Sequence, residues 1–141
     1  MATAEAQRFA DAIRRGAKFG EQRFYEYLDM ATVPLEEWDG KIHSCALGAA
    51  LLGTRGFDVG RDKEGVWGRA QYLTLYEPLC GLLHEQFGEV LGEVAVGGCP
   101  VAGCLMLRPP GLKLVDVIVH LNDVHKWTRE RIADWIEGGA W

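Results

Sequence analysis

The chain has 141 residues, of which 48% are hydrophobic and 25% charged, and its formal net charge at pH 7 is −5. This length and composition are typical of one folded domain and exclude a disordered chain. The acidic balance argues against generic nucleic-acid binding, which depends on lysine and arginine. Four cysteines are too few for a disulfide scaffold, and no apolar run is long enough to span a bilayer. The charged, amphipathic segment 1–16 is unlike a secretory signal. We therefore expect a cytoplasmic protein with reduced cysteines that does not enter a membrane.

The N-terminal segment 4–15 repeats apolar residues at the spacing of an amphipathic helix. Thr3 stands where an N-cap would lie, and Gly16 is placed to end the helix. The aromatic-rich segment 21–30 that follows fits neither a helix nor a strand clearly. The pattern predicts a helix that packs through one face.

A second helix is predicted over 45–52, a run of mostly small residues. Ser44 precedes this run as an N-cap, and Gly53 follows it as a C-terminal stop. Because small side chains let a helix approach its neighbour closely, we expect this helix to be central. Segment 54–68 is rich in glycine and charge and is predicted to be a surface loop.

The middle of the chain returns to helical spacing over 70–87. Pro78 cannot lie inside a regular helix, so we expect it to open a second helical segment that Gly88 closes. Two short strand-like runs follow, at 94–96 and 105–107. They lie on either side of a glycine-containing pair of cysteines.

Two helices are predicted in the last third of the chain. The first covers 112–121, and Asn122-Asp123 weakens it. The second covers 129–137, with Thr128 as its N-cap and a glycine pair at its end. The predicted fold is a single α+β domain, 1–141, that is mostly helical. Its helical N-terminal two-thirds precede a strand–knuckle–strand–helix unit, like a zinc finger, over 94–137.

The chemistry of the chain is concentrated in the pattern Cys99-x4-Cys104-x15-His120-x4-His125. Two cysteines followed by two histidines at this kind of spacing are typical of a zinc site. A glycine-containing turn lets two thiolates converge, and a helix then supplies the two imidazoles. We predict one structural zinc ion with four protein ligands and no open coordination position.

The histidine spacing sets a condition on this site. Residues five apart on an ideal helix point about 140° away from each other. His120 and His125 can share an ion only if the helix loosens between them, and we expect this at Asn122-Asp123. The alternative is that His120 lies on a polar face and that Cys104 is a small buried hydrophobic residue without a metal.

A second group of candidate ligands comprises His43, Cys45, Cys80 and His84. Cys80 and His84 are four residues apart and would share one helix face. Both cysteines, however, fall on apolar helix stripes, which favours two core cysteines over a metal site. Whether these four residues form a second site stays open at this point.

Two stretches, SCALGAALLG (44–53) and HLNDVHKWTRERIADWIE (120–137), resemble a group of small uncharacterised bacterial proteins. In that group a cysteine pair precedes a His-Leu-Asn-Asp stretch and an ending with Trp-Thr-Arg-Glu and Ile-Ala-Asp-Trp. The cysteines of the group are closer together than Cys99 and Cys104. The resemblance implies a similar zinc-finger-like architecture and implies no activity.

The expected function is that of a small zinc-binding adaptor or regulatory protein, and this interpretation is favoured over an enzyme. One alternative is nucleic-acid binding through the finger-like unit, although residues 112–137 carry four basic against five acidic side chains. Another is an enzyme that uses zinc or a cysteine paired with a histidine. Trp127, Trp135 and Trp141 are expected in the core, or as an anchor for a protein partner. The oligomeric state is left undetermined.

Overall fold

The fold is mostly helical with one short strand pair, as the predicted α+β class requires. The computed structural model describes residues 3–24, 28–29, 43–55, 81, 83–104, 111–139 and 141. The elements in chain order are α1 (Ala4–Gly16), a 3₁₀ turn (Ala17–Phe19), β1 (Leu28–Asp29), β2 (His43–Ser44), α2 (Ala46–Arg55), α3 (83–91), α4 (Leu114–Asp123) and α5 (Arg129–Gly138). Strands β1 and β2 are antiparallel. No helix in these ranges is long and apolar enough to cross a membrane.

Helix α1 forms as its sequence predicts. The Thr3 side chain accepts a hydrogen bond from the Ala6 N–H at 3.0 Å, which satisfies one of the free donors of the first turn. The apolar stripe that includes Phe9 and Ile13 is fully buried. Helix α1 therefore forms one wall of the core.

Helices α1 and α2 touch through their backbones. A Cβ atom on Gly16 would lie 1.6 Å from the carbonyl oxygen of Ala49, and one on Gly53 would lie 1.8 Å from that of Ala12. No side chain fits at either contact. The predicted close packing of the small-residue helix is confirmed, and glycine is required at both positions by space rather than by backbone angle.

Both predicted ends of α2 are wrong. Ser44 lies in β2, and the N-cap is Cys45, whose carbonyl accepts from the Ala49 N–H at 2.8 Å. Gly53 lies inside the helix, which continues to Arg55. Tertiary packing explains the second error, because the glycine that looked like a stop is needed for the contact with α1.

Helix α3 also runs past its predicted stop. Gly88 is helical, and the helix continues to residue 91. The first part of the predicted helix 70–87, with Pro78, lies outside the described residues, as does most of the predicted loop 54–68. The first two residues of that loop belong to α2.

The two C-terminal helices are confirmed. Helix α4 buries its predicted apolar face, which comprises Leu114, Val117, Ile118 and Leu121. The Thr128 side chain accepts from the Arg131 N–H at 3.1 Å, and Gly139 ends α5 in the left-handed conformation with φ 67°. Helix α5 packs on α1, and Trp141 is buried with its indole N–H donating to the Ile136 carbonyl.

The predicted strand at 94–96 does not form. Val94 makes an isolated antiparallel bridge with Lys113, and a turn follows in which the Gly98 N–H donates to the Ala95 carbonyl at 2.9 Å. This turn directs the chain away before a ladder can extend. The other predicted strand, 105–107, lies outside the described residues. The zinc-finger-like hairpin is therefore not part of the described fold.

Candidate metal centre

Cys99 and Cys104 lie in the loop that follows α3, and each comes directly after a glycine in the left-handed region. Gly98 has φ 63° and Gly103 has φ 80°. Only glycine adopts these angles freely. The Cys104 N–H donates to the Val101 carbonyl at 3.2 Å and closes a tight turn between the two cysteines. The sequence therefore encodes the convergence of the two thiols locally.

His120 and His125 meet across the end of α4. The helix ends at Asp123, and the His125 N–H reaches back five residues to the His120 carbonyl at 3.4 Å. This turn is wider than an α-helical one, so it reduces the angle between residues five apart. Lys126 then leaves in the left-handed conformation, with φ 55°. Asn122 and Asp123 are both still helical, so the predicted loosening occurs just after them, at Val124 and His125, rather than at Asn122-Asp123.

All four predicted ligands come together. Their four ligand atoms lie within 4.8 Å of one another. The Nε2 atoms of His120 and His125 are 2.9 Å apart, and Cys104 Sγ lies 3.4 Å from His120 Nε2. A tetrahedral zinc ion with bonds of about 2.3 Å to sulfur and about 2.05 Å to nitrogen requires edges of about 3.3 Å between nitrogens and about 3.6 Å between sulfur and nitrogen. The two measured edges are a few tenths of an ångström shorter, so small side-chain shifts fit one ion.

The environment of His120 favours its neutral form. The residue is 7% exposed, and its pKa is lowered by burial and, secondly, by the positive charge that His125 can carry. A neutral imidazole has the free lone pair that a metal ion needs. The alternative in which His120 lies on an exposed polar face is wrong.

The environment of Cys99 disfavours a free thiolate. Burial raises the pKa of this thiol, the backbone N–H of Val101 opposes the rise, and the neighbouring Cys104 adds to it. Two thiolates side by side repel each other. A bound divalent cation would remove that repulsion, so the cluster is better suited to a metal ion than to a pair of free thiolates.

Asn122 fixes the end of α4 that carries the histidines. Its side chain is 1% exposed and makes four hydrogen bonds. The Oδ1 atom accepts from the Gln22 side chain at 2.8 Å and from the Ala46 N–H at 3.1 Å. The Nδ2 group donates to the Arg23 carbonyl at 2.9 Å and to the Asp123 carboxylate at 2.8 Å. The last turn of α4 is thereby tied to the start of α2.

Arg129 is a second buried polar residue whose role the sequence did not reveal. It is 6% exposed, and burial lowers the pKa of its guanidinium. The guanidinium donates to the Ser44 hydroxyl at 3.1 Å and to the carbonyls of Ala17 and Gly20 at 3.2 and 2.7 Å. It therefore holds the turn after α1 against β2. The sequence offered one signal for these two buried residues. Asn122 lies in the His-Leu-Asn-Asp stretch and Arg129 in the Trp-Thr-Arg-Glu stretch on which the resemblance rests.

The second group of candidate ligands is not brought together in the part of the chain that the structure describes. His43 Nδ1 accepts from the Glu21 N–H at 2.9 Å. Cys45 is buried, its sulfur accepts from the Gly48 N–H at 3.4 Å, and burial raises its pKa to about 11. His84 is exposed on α3, and Cys80 lies outside the described residues. Cys45 is thus a core residue, as its apolar stripe predicted.

The four basic residues of the C-terminal segment differ in their exposure and contacts. Arg129 is buried. The Lys126 ammonium lies 4.0 Å from the centre of the Phe24 ring, and the Arg131 guanidinium lies 3.9 Å from that of Trp127. The burial of Arg129 weakens the nucleic-acid alternative, because it makes one of these four residues unavailable to a phosphate.

Comparison with known proteins gives no relative for this chain. No family model, no curated protein and no solved structure matches it. The resemblance of 44–53 and 120–137 to a group of small bacterial proteins stays a prediction.

Proposed function

We propose that this protein binds one zinc ion through Cys99, Cys104, His120 and His125. The observation that carries the proposal is the convergence of four ligand atoms within 4.8 Å from a loop and a helix end. Mixed thiolate and imidazole donors suit zinc. Because the protein supplies four ligands, the ion keeps no position for water and has a structural role.

The proposed ion joins two parts of the chain that share few backbone hydrogen bonds among the described residues. The loop that carries Cys99 and Cys104, described over residues 92–104, is called the cysteine loop. It is anchored near its start, where the Ala95 N–H donates to the Leu112 carbonyl at 2.8 Å. Beyond that point the ion would hold the loop to the end of α4. Thiolate ligands must stay reduced, which supports a cytoplasmic location.

We further propose an adaptor or regulatory role with a protein partner. Four large hydrophobic residues are exposed among the described residues, and all lie on the two segments that carry the ligands. These residues are Val94, Val96, Val119 and Val124. Zinc would fix the two segments that carry these valines, and the proposal is that the valines contribute to a protein-binding surface.

A cysteine nucleophile is the second candidate function. The 3.4 Å contact between Cys104 Sγ and His120 Nε2 is also the contact that an activated thiolate needs. Zinc would occupy both atoms. Equally rapid alkylation of Cys104 with and without added zinc would therefore favour this candidate over a structural site.

The test of the zinc site is the metal content of the purified full-length protein. We expect one zinc per chain, and tetrahedral absorption bands when cobalt(II) replaces zinc. Cys99→Ser and Cys104→Ser should each lose stoichiometric metal, whereas Cys45→Ser, a matched control at a buried thiol, should keep it. If the Cys99→Ser/Cys104→Ser double variant keeps one equivalent, the ligand assignment is wrong.

A further inference from the structure

The two cysteine ligands are also placed to react with each other. Their sulfur atoms belong to a cluster whose members lie within 4.8 Å. A disulfide needs the sulfurs at about 2.05 Å and the Cβ atoms at about 3.5–4.5 Å, so the required movement is small. The intervening turn contains Gly103, around which a Cβ would meet nothing within 4 Å. The turn therefore has space in which to adjust.

Access differs among the three thiols that the structure describes. Cys99 and Cys104 are partly exposed, whereas Cys45 is buried. A small oxidant in solution can reach the first two thiols and not the third. Cys99 and Cys104 are therefore an accessible pair of thiols, and the buried Cys45 serves as an internal control.

We propose that Cys99 and Cys104 are a redox modification site, at which a peroxide forms an intramolecular disulfide and releases the zinc ion. The inference rests on the proposed zinc site and adds its regulation. The spacing of four residues differs from a Cys-x-x-Cys oxidoreductase motif, which points to a site that is oxidised as a signal rather than one that transfers disulfides.

The reaction balances with hydrogen peroxide as the oxidant. One thiolate attacks an oxygen of the peroxide, so that an S–O bond forms, the O–O bond breaks, and the leaving hydroxide takes a proton to become water. The second thiolate then attacks the sulfenic sulfur, so that the S–S bond forms, the S–O bond breaks, and a second water leaves. The two thiolates lose two electrons, the peroxide gains them, two protons are consumed, and zinc leaves as Zn²⁺.

Oxidation removes half of the ligand set in one event. A disulfide has no thiolate to bind zinc, and two imidazoles at the end of α4 cannot complete a tetrahedral site. The ion therefore leaves when the disulfide forms. The cysteine loop then loses its link to α4, while the new disulfide holds Cys99 and Cys104 together.

The experiment treats zinc-loaded full-length protein with one equivalent of hydrogen peroxide after its zinc content has been measured. Released zinc is followed with a colorimetric chelator, and the product is identified by intact mass and peptide mapping. We expect one zinc released per peroxide consumed and a Cys99–Cys104 disulfide, with recovery on adding a dithiol reductant and zinc. Cys45→Ser should behave like the natural protein.

Three outcomes would overturn the inference. Absence of zinc before peroxide is added defeats both the zinc site and its regulation. Retention of zinc with both thiols reduced, or conversion of the thiols to sulfinic acid or to disulfides between chains, defeats the regulation alone and leaves the zinc site standing.

Discussion

Removing the ion should loosen the cysteine loop and the end of α4 while α5 stays folded. Helix α5 does not depend on the site, because Ile132 and Ile136 are fully buried in the main core. Arg129 at its start is also tied to Ser44. The perturbation is a strong chelator at neutral pH, and the expected change is local.

The size of the effect follows from the bonds that remain. Within the cysteine loop, the Gly98 N–H donates to the Ala95 carbonyl and the Cys104 N–H donates to the Val101 carbonyl. At a net contribution of about 1 kcal/mol each, opening the metal-free loop costs about 2 kcal/mol, which protects its amides about 30-fold. Free zinc at a thousand times its dissociation constant adds about 4.1 kcal/mol, or a further factor of about 1000.

Hydrogen exchange measured by mass spectrometry or NMR, with and without the chelator, tests this reasoning. The amides of Gly98 and Cys104 are the reporters, and the Ile132 amide, which donates to the Thr128 carbonyl in α5, is the internal control. Equal deprotection of all three amides would mean that the ion supports the whole fold. Unchanged exchange at the reporters after complete zinc removal would mean that the ion does not hold the loop.

Three predictions concern the fold, and each is measured by urea unfolding. Gly53→Ala should lower the free energy of unfolding by more than about 2 kcal/mol, because a Cβ atom there would overlap the backbone of α1. Gly138→Ala is the control and should not lower the free energy of unfolding, because a Cβ atom there meets nothing within 4 Å. The natural protein should lose about 2 kcal/mol of stability as the pH rises from 9 to 11, because the Cys45 thiol ionises near 9.0 when unfolded and at about 11 when folded. Cys45→Ala should abolish this loss, and an unchanged free energy of unfolding over this pH range would refute the burial argument. Arg129→Lys should lower the free energy of unfolding by about 2–3 kcal/mol, because an ammonium cannot reach the same carbonyls. Arg131→Lys, at an exposed residue, should lower it by less than about 1 kcal/mol. Equal losses would contradict the role of Arg129 in holding the turn after α1 against β2.

Local sequence determined the helices whose start and stop signals act within a few residues. Thr3 and Thr128 cap α1 and α5 because each hydroxyl reaches an N–H three residues along the same chain. The apolar stripe of α4 was equally readable, since a period of 3.6 residues places its members on one face. These features need no knowledge of the rest of the molecule.

Packing decided the places where a local signal had two meanings. Gly53 and Gly88 both resembled helix stops, yet both lie inside helices. At Gly53 the reason is visible, because α1 approaches too closely for any side chain. The strand predicted at 94–96 likewise does not form, because the pairing of this segment is limited to one bridge, between Val94 and Lys113.

The candidate site divides in the same way. The sequence by itself determined the donor atoms, their order, the glycines that turn the chain before Cys99 and Cys104, and the helix end that His120 and His125 require. Only the tertiary structure decided that the four ligand atoms meet within 4.8 Å without a zinc-finger hairpin among the described residues. It also decided that Asn122 is buried. The residues next to a polar side chain in the sequence do not indicate which distant backbone groups will hydrogen-bond to it.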